Sequence, residues 1–419
     1  MTDTPADSDG TPADKASSAD PASTPAASTP AATPATPAAT PAADAPVGEF
    51  LPSGARIDDA ADDADAKKGV SRRSLITGIG VGAAVVAAGG FGTWWFLKSQ
   101  SAPTATANGL VVTNSWADRE LALTSPSGVC EAPLIIAYEK GFFADAGLNV
   151  TLKKTGDGEN VTEAVGSGKY VASNGIFFNY LGPIYNGTPV KLSGGLHHGC
   201  LDLYTTTAGA VATVADLKGK KIGVSSLQGS ATNFFSLDLL DAGINSSPEA
   251  GEVEWVVIEQ PLLPEALKDG RVDAIATAGG YLPIIEAVES GWAKVLSNNQ
   301  SISANADQPC CAVVLNSTFV TEDPVTAAKL VTAWAKGSRW AGANLEEVAR
   351  IESEKEYVAG TPEEIIPVLQ TLTFDPSPKN LHQVLQPGIE KYIKTGFLPA
   401  DTDAKALADK AFVDLGLNF

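Results

Sequence analysis

Ala137-Tyr138-Glu139-Lys140-Gly141-Phe142-Phe143-Ala144-Asp145-Ala146-Gly147-Leu148-Asn149-Val150 joins two periodicities in one short stretch. From Ala132 to Lys140, Leu134, Ile135 and Tyr138 recur at helical spacing and predict one apolar face. Gly141-Phe142-Phe143 closes that helix, and Leu148-Asn149-Val150-Thr151-Leu152 alternates with period two, as a strand does. Upstream, Leu121-Ala122-Leu123 reads as a strand and Ser125-Pro126-Ser127-Gly128 as a turn. Downstream the alternation repeats. A helix begins at 161–165, strands fall at 171–175 and 190–194, and a strand at 221–224 runs into a helix near 231–241. A strand at 253–258, a helix at 262–268 and a strand at 272–275 follow. This order predicts an α/β chain with parallel-rich sheets, covered on both faces, that bind ligands at the carboxyl ends of their strands. From about Pro324 the pattern is mostly helical, divided by Pro376, Pro378 and Pro399.

Three motifs carry a resemblance. The 137–150 stretch resembles the opening helix-and-strand signature of periplasmic solute-binding proteins for nitrate, alkanesulfonates and taurine, and of related pyrimidine-precursor proteins of thiamine metabolism. Asp216-Leu217-Lys218-Gly219-Lys220-Lys221-Ile222-Gly223-Val224 is similar to the start of that family's second lobe. Ala266-Leu267-Lys268-Asp269-Gly270-Arg271-Val272-Asp273-Ala274 resembles its late helix–Gly–strand unit. The motifs span about 115–320 and specify a fold more sharply than a ligand. The resemblance implies a two-lobed periplasmic-binding-protein fold of type II with a ligand cleft between the lobes. It further implies a monomer that closes around a small molecule and delivers it to the membrane permease of an ABC importer, without catalysis or a cofactor. Motif positions put the interlobe crossings near 204–212 and 303–312. The lobes then divide as 108–208, 209–305 and a return over 306–419.

Composition separates this body from what precedes it. Residues 1–70 lack Trp, Tyr, Cys and His, hold one Phe, and are dominated by Ala, Pro, Thr, Ser and Asp, which predicts a disordered tail. Ser71-Arg72-Arg73-Ser74-Leu75-Ile76 precedes an uncharged run from Leu75 to Leu97, so 71–107 reads as a twin-arginine export signal or a retained membrane anchor. Ala105-Thr106-Ala107 offers a small-residue cleavage pattern. The tail holds 12 acidic against 4 basic residues and 71–107 adds three positives, so the net charge of −20 leaves −15 for 108–419. That balance, without a basic stripe, argues against nucleic acid as a partner. It does not bar a small anion, because backbone amides at helix N-termini act locally.

Candidate ligand contacts lie on loops after strands. Ser125, Ser127, Gly128 and Cys130 precede the first helix, where Ser or Gly as N-cap leaves N–H groups and hydroxyls for a ligand. Ser173 and Asn174 end a strand. Ser226, Gly229, Ser230 and Thr232 form a Gly/Ser-rich turn into the second lobe's first helix, suited to an oxyanion but lacking the Gly-Lys-Ser/Thr of a P-loop. Thr277 and Tyr281 follow a later strand. Phe177, Phe178, Tyr180, Tyr204, Phe234 and Phe235 read as core.

His197 and His198, in Leu196-His197-His198-Gly199-Cys200, are further ligand candidates near one side of the cleft, with Cys130, Cys310 and Cys311. Three readings stand. Cys130 or Cys200 pairs with Cys310 or Cys311 as a disulfide; the thiols are buried and free; or His197, His198, Cys200, Cys310 and Cys311 hold a soft metal or a haem-like group. No standard zinc spacing is present, so no metal is assigned. The thiamine-precursor relatives carry a longer Cys-rich motif, reduced here to Cys310-Cys311. An enzyme using Cys130 or Cys200 with His198 is the alternative to a binder, but no local signature surrounds either cysteine.

Overall fold

The structure is a computed structural model that describes the backbone of Thr104–Ala105 and residues 109–419. The tail, the arginine pair, the 75–97 run and the 105–107 pattern as a whole lie outside the described residues. Among those described, no helix is long and apolar enough to cross a membrane.

The body opens with β1 (Glu120–Thr124), β2 (Asn149–Lys153) and β3 (Ala172–Ile176), joined by helices that include Ala132–Glu139. The order is the expected one. β1 pairs in parallel with both β2 and β3. Leu134 and Ile135 are fully buried, whereas Tyr138, placed on the same face by periodicity, is 39% exposed near the helix's end. β4 (Val190–Gly199) closes the first half. It runs five residues beyond the 190–194 strand that the sequence pattern predicts, because Gly194 adopts φ +76° and the pairing shifts register there. The shift lets the ladder resume rather than end, so His197 and His198 sit on the strand and not on a loop beyond it.

The chain then changes sheets. β5 (Leu201–Thr206), β6 (Lys221–Val224), β7 (Glu254–Val257), β8 (Ala274–Ala278) and β9 (Ala293–Asn298) build a five-stranded sheet ordered β9-β5-β8-β6-β7. β10 (Cys311–Asn316) and the short β11 (Leu372–Thr373) return to the first sheet, which reads β11-β4-β10-β3-β1-β2. The first crossing is at Cys200, upstream of the expected 204–212, and Cys200 takes φ +75° to turn the chain. The second occupies residues between Asn298 and Cys311. Both sheets are mixed: three parallel strands form the βα part of each, while β10 runs antiparallel to β3 and β4, and β5 antiparallel to β8 and β9. Strands that arrive from the other lobe carry no crossover helix, and that frees them to run antiparallel.

A long helix, Pro324–Ala343, packs on Ala132–Glu139 and buries Trp334 edge-on against Phe143, ring centroids 6.1 Å apart. Asp323 caps this helix through Thr326 N. Pro378 begins the helix Pro378–Lys394 at its first turn, where a missing N–H costs nothing, with Ser377 as cap. Asp238 ties the second crossing down. Its carboxylate accepts from Ser297 Oγ (2.5 Å), Ser303 Oγ and Asn305 Nδ2 (3.1 Å), and Lys391 donates to Asp241 and Asn305 at 2.7 Å each.

Candidate ligand cleft and thiol cluster

The first loop differs from its expected form. A short 3-10 turn, Val129–Glu131, precedes the helix, with Gly128 as its N-cap. Glu131 Oε2 accepts from Ser127 N at 2.7 Å and Gly128 N at 3.2 Å. The amides expected to face a ligand are therefore occupied by the chain's own carboxylate. Glu131 stands three residues after Gly128, a spacing that signals this cap. Ser125 donates its N–H to Lys153 O on the neighbouring strand β2.

Burial raises the Glu131 carboxyl to about 7, aided by the Cys130 thiol. Glu352, from the helix Leu345–Glu354, has neither carboxylate oxygen partnered. Burial, Cys130 and Glu131 push it up to about 9. Nothing in the local sequence marks Glu352; only the fold delivers it. Asp202, also buried and with Oδ2 unpartnered, is raised to about 7 by burial. No Lys or Arg is buried among the described residues to balance these acids.

Ser173 and Asn174 are both buried. Ser173 Oγ pairs with Thr124 Oγ at 2.7 Å, whereas the Asn174 amide has no partner on either atom. Thr277 Oγ1 is likewise buried and unpartnered, and its strand lies beside the first crossing: Thr277 pairs with Asp202, and Gly279 N donates to Cys200 O at 2.7 Å. Tyr281, half-buried, donates its hydroxyl weakly to Pro261 O.

All four cysteines are free thiols, so none of the disulfides considered is formed. They meet as a cluster. Cys200 Sγ lies 2.8 Å from Cys310 Sγ, and each thiol is within hydrogen-bonding reach of at least two others. A ring nitrogen of His197 and the sulfurs of Cys130 and Cys311 all lie within 4.8 Å of one another. β-pairing explains why: Cys311 is the register partner of His197 on β4 and of Ile176 on β3. His198, on the opposite face, turns to Ala306 O at 2.9 Å and stays out of the cluster, as does the remote His382, stacked on Phe412. Burial opposes ionisation of Cys310, but hydrogen bonds from Cys200 and Cys311 overcome it and bring the thiol down to about 6.

The second-lobe loop sits elsewhere. Gly229, Ser230 and Thr232 line a crevice of 740 Å³ together with Asn179 and Phe397 of the other lobe; the four cysteines are not in its walls. Asn179 Nδ2 donates across to Ser230 Oγ at 2.9 Å. Ser226 serves its own turn, its carbonyl accepting from Thr232 Oγ1 at 2.6 Å and Gly229 N at 3.1 Å. The candidates thus separate into a thiol-lined centre at the crossings and this crevice. Phe177, Phe178, Tyr180, Tyr204, Phe234 and Phe235 are buried, as core residues should be.

The profile of a family described as NMT1/THI5 like matches residues 131–348, just over half of the chain. The fold is similar to the periplasmic aliphatic sulphonate binding protein SsuA from Escherichia coli, at 13% identity and TM-score 0.57, over 70% of this chain and 92% of that one. It is similar also to the periplasmic nitrate-binding protein NrtA from Synechocystis PCC 6803, at 18% identity and TM-score 0.51, over 70% and 85%. A 4-amino-5-hydroxymethyl-2-methylpyrimidine phosphate synthase from Uromyces fabae is 33% identical over 93 residues, 22% of this chain and 27% of the synthase. The chain spans only about a quarter of the length of the curated relatives it matches.

Proposed function

The chain belongs to the NMT1/THI5-like family, and from that membership and the cleft geometry we propose an extracytoplasmic solute-binding protein that delivers a small molecule to an ABC importer. The observation that carries this reading is the pair of crossings, at Cys200 and 299–310, on sheets that carry buried Asn174 and Thr277, whose side chains have no partner, and buried Asp202, whose Oδ2 has none. Buried polar groups left unsatisfied cost free energy that a complementary ligand offsets. Two crossings give a hinge, and a solute that touches both lobes favours the closed state by its differential affinity for it. On this reading the lobes are bounded by those crossings, the protein is a monomer, and residues 71–107 export or anchor it. Binding rather than catalysis is favoured because the thiols face one another and His197, without a carboxylate to orient the imidazole.

Of sulfonates, nitrate and nitrogen heterocycles, the third class fits best. Glu131 already fills the first-lobe amides, no buried cation among the described residues awaits an anion, and Asn174 offers a donor and an acceptor together. Isothermal titration of the full chain against an alkanesulfonate, nitrate and an aminopyrimidine tests this. Heat from the aminopyrimidine alone is the expected result. Sulfonate or nitrate binding overturns the ligand class, and no binding to any of the three overturns the solute reading.

A further inference from the structure

The thiol cluster has a chemistry of its own. Cys130 comes from the first loop, His197 from β4 and Cys311 from β10, so fold and not sequence spacing assembles them. The cysteines at 200, 310 and 311 and His197 are at most 2% exposed. His197 Nδ1 lies 3.3 Å from His198 O, which leaves Nε2 buried without a partner. In the tautomer that donates from Nδ1, Nε2 presents a lone pair. Glu352 is buried as well, with neither carboxyl oxygen partnered, and no Lys or Arg is buried among the described residues. A buried group of this kind is stabilised by a cation.

We propose that Cys130, His197 and Cys311 bind a single thiophilic d10 metal ion, Cu(I) or Zn(II), at the interlobe crossings. Sulfur and imidazole donors select these ions over Mg(II), Ca(II) or Mn(II), whose preferred donors are oxygens. On binding, each ligating thiol releases its proton to solvent as its thiolate bonds the metal, and no electron is transferred. Three donors suffice for Cu(I). Zn(II) takes a fourth, and Cys200 and Cys310 stand next to the trio to supply it. The site shares the crossings with the proposed solute centre but uses none of its polar groups, Asn174, Asp202 and Thr277, so metal binding without solute tests it separately.

The test uses the full chain, reduced and anaerobic, titrated with Zn(II) or Cu(I) alone in competition with a chromophoric chelator, with bound metal counted by mass spectrometry. One equivalent is expected. Cys311→Ser and His197→Ala each weaken binding by at least about 10- to 100-fold, while His382→Ala leaves it unchanged. Circular dichroism of the metal-free variants checks that they fold. Should Cys311→Ser misfold, His197→Ala with Cys130→Ser carries the test. Binding of Cu(I) without Zn(II) assigns copper and a three-donor site; tight Zn(II) binding that Cys200→Ser or Cys310→Ser abolishes assigns zinc. Substoichiometric binding of both ions, binding indifferent to folded His197→Ala, or preference for Fe(II) over both overturns the proposal.

Discussion

Glu131 and Glu352 set the electrostatics of the centre. Glu352 is raised to about 9 by burial, then by Cys130 and Glu131. The folded metal-free protein therefore keeps a proton that the unfolded chain releases above an ordinary glutamate value of about 4.3. The stability this group contributes is complete below that pH and is lost as pH rises through about 9. Thermal unfolding of the metal-free protein should show a Tm that falls between pH 5 and 9, with a shallower fall in Glu352→Gln. An identical slope in that variant contradicts the assignment. Asn174 is tested by binding. Its side chain is buried and unpartnered, so Asn174→Ala should weaken the aminopyrimidine at least about tenfold, the value of one or two good hydrogen bonds, with little change in Tm. Sequence could place Ser173 and Asn174 at a strand end and Cys130 at a loop. It could not place Glu352, which arrives from a helix more than two hundred residues away.

Elements meet where small residues permit. On Pro324–Ala343, a Cβ at Gly337 would stand 2.2 Å from Pro133 O and 2.8 Å from Ala137 N. Alanine would favour the helix by about 1 kcal/mol, but the clash is with backbone and cannot be relieved by a rotamer. Gly337→Ala should therefore be net destabilising, by about 1–3 kcal/mol in urea unfolding. Trp334→Ala, in the same interface, should cost about 3–5 kcal/mol. The βα alternation that predicted these elements was legible because strand and helix periods differ. The true end of β4 was not, since a glycine at φ +76° reads the same in sequence whether it ends a strand or bulges one. The same extension put His197 beside Cys311 and turned His198 away, a separation that two adjacent histidines in a sequence cannot show.

At the scale of the whole molecule, three motifs sufficed for a two-lobed fold because each spans the junction where a helical segment gives way to a strand. The crossing at Cys200 lay outside them, and so did the network of Asp238, Ser297, Ser303 and Asn305 that fixes the second crossing. On the proposed reading, a solute held by Asn174 of the first sheet and by Asp202 and Thr277 of the second touches both sheets. Amide hydrogen exchange of the full chain, with and without a saturating aminopyrimidine, reads this directly. Added protection is expected together at 172–176 in the first sheet and at 274–280 in the second. Protection confined to one sheet, or absent from both at saturation, would contradict capture between the lobes.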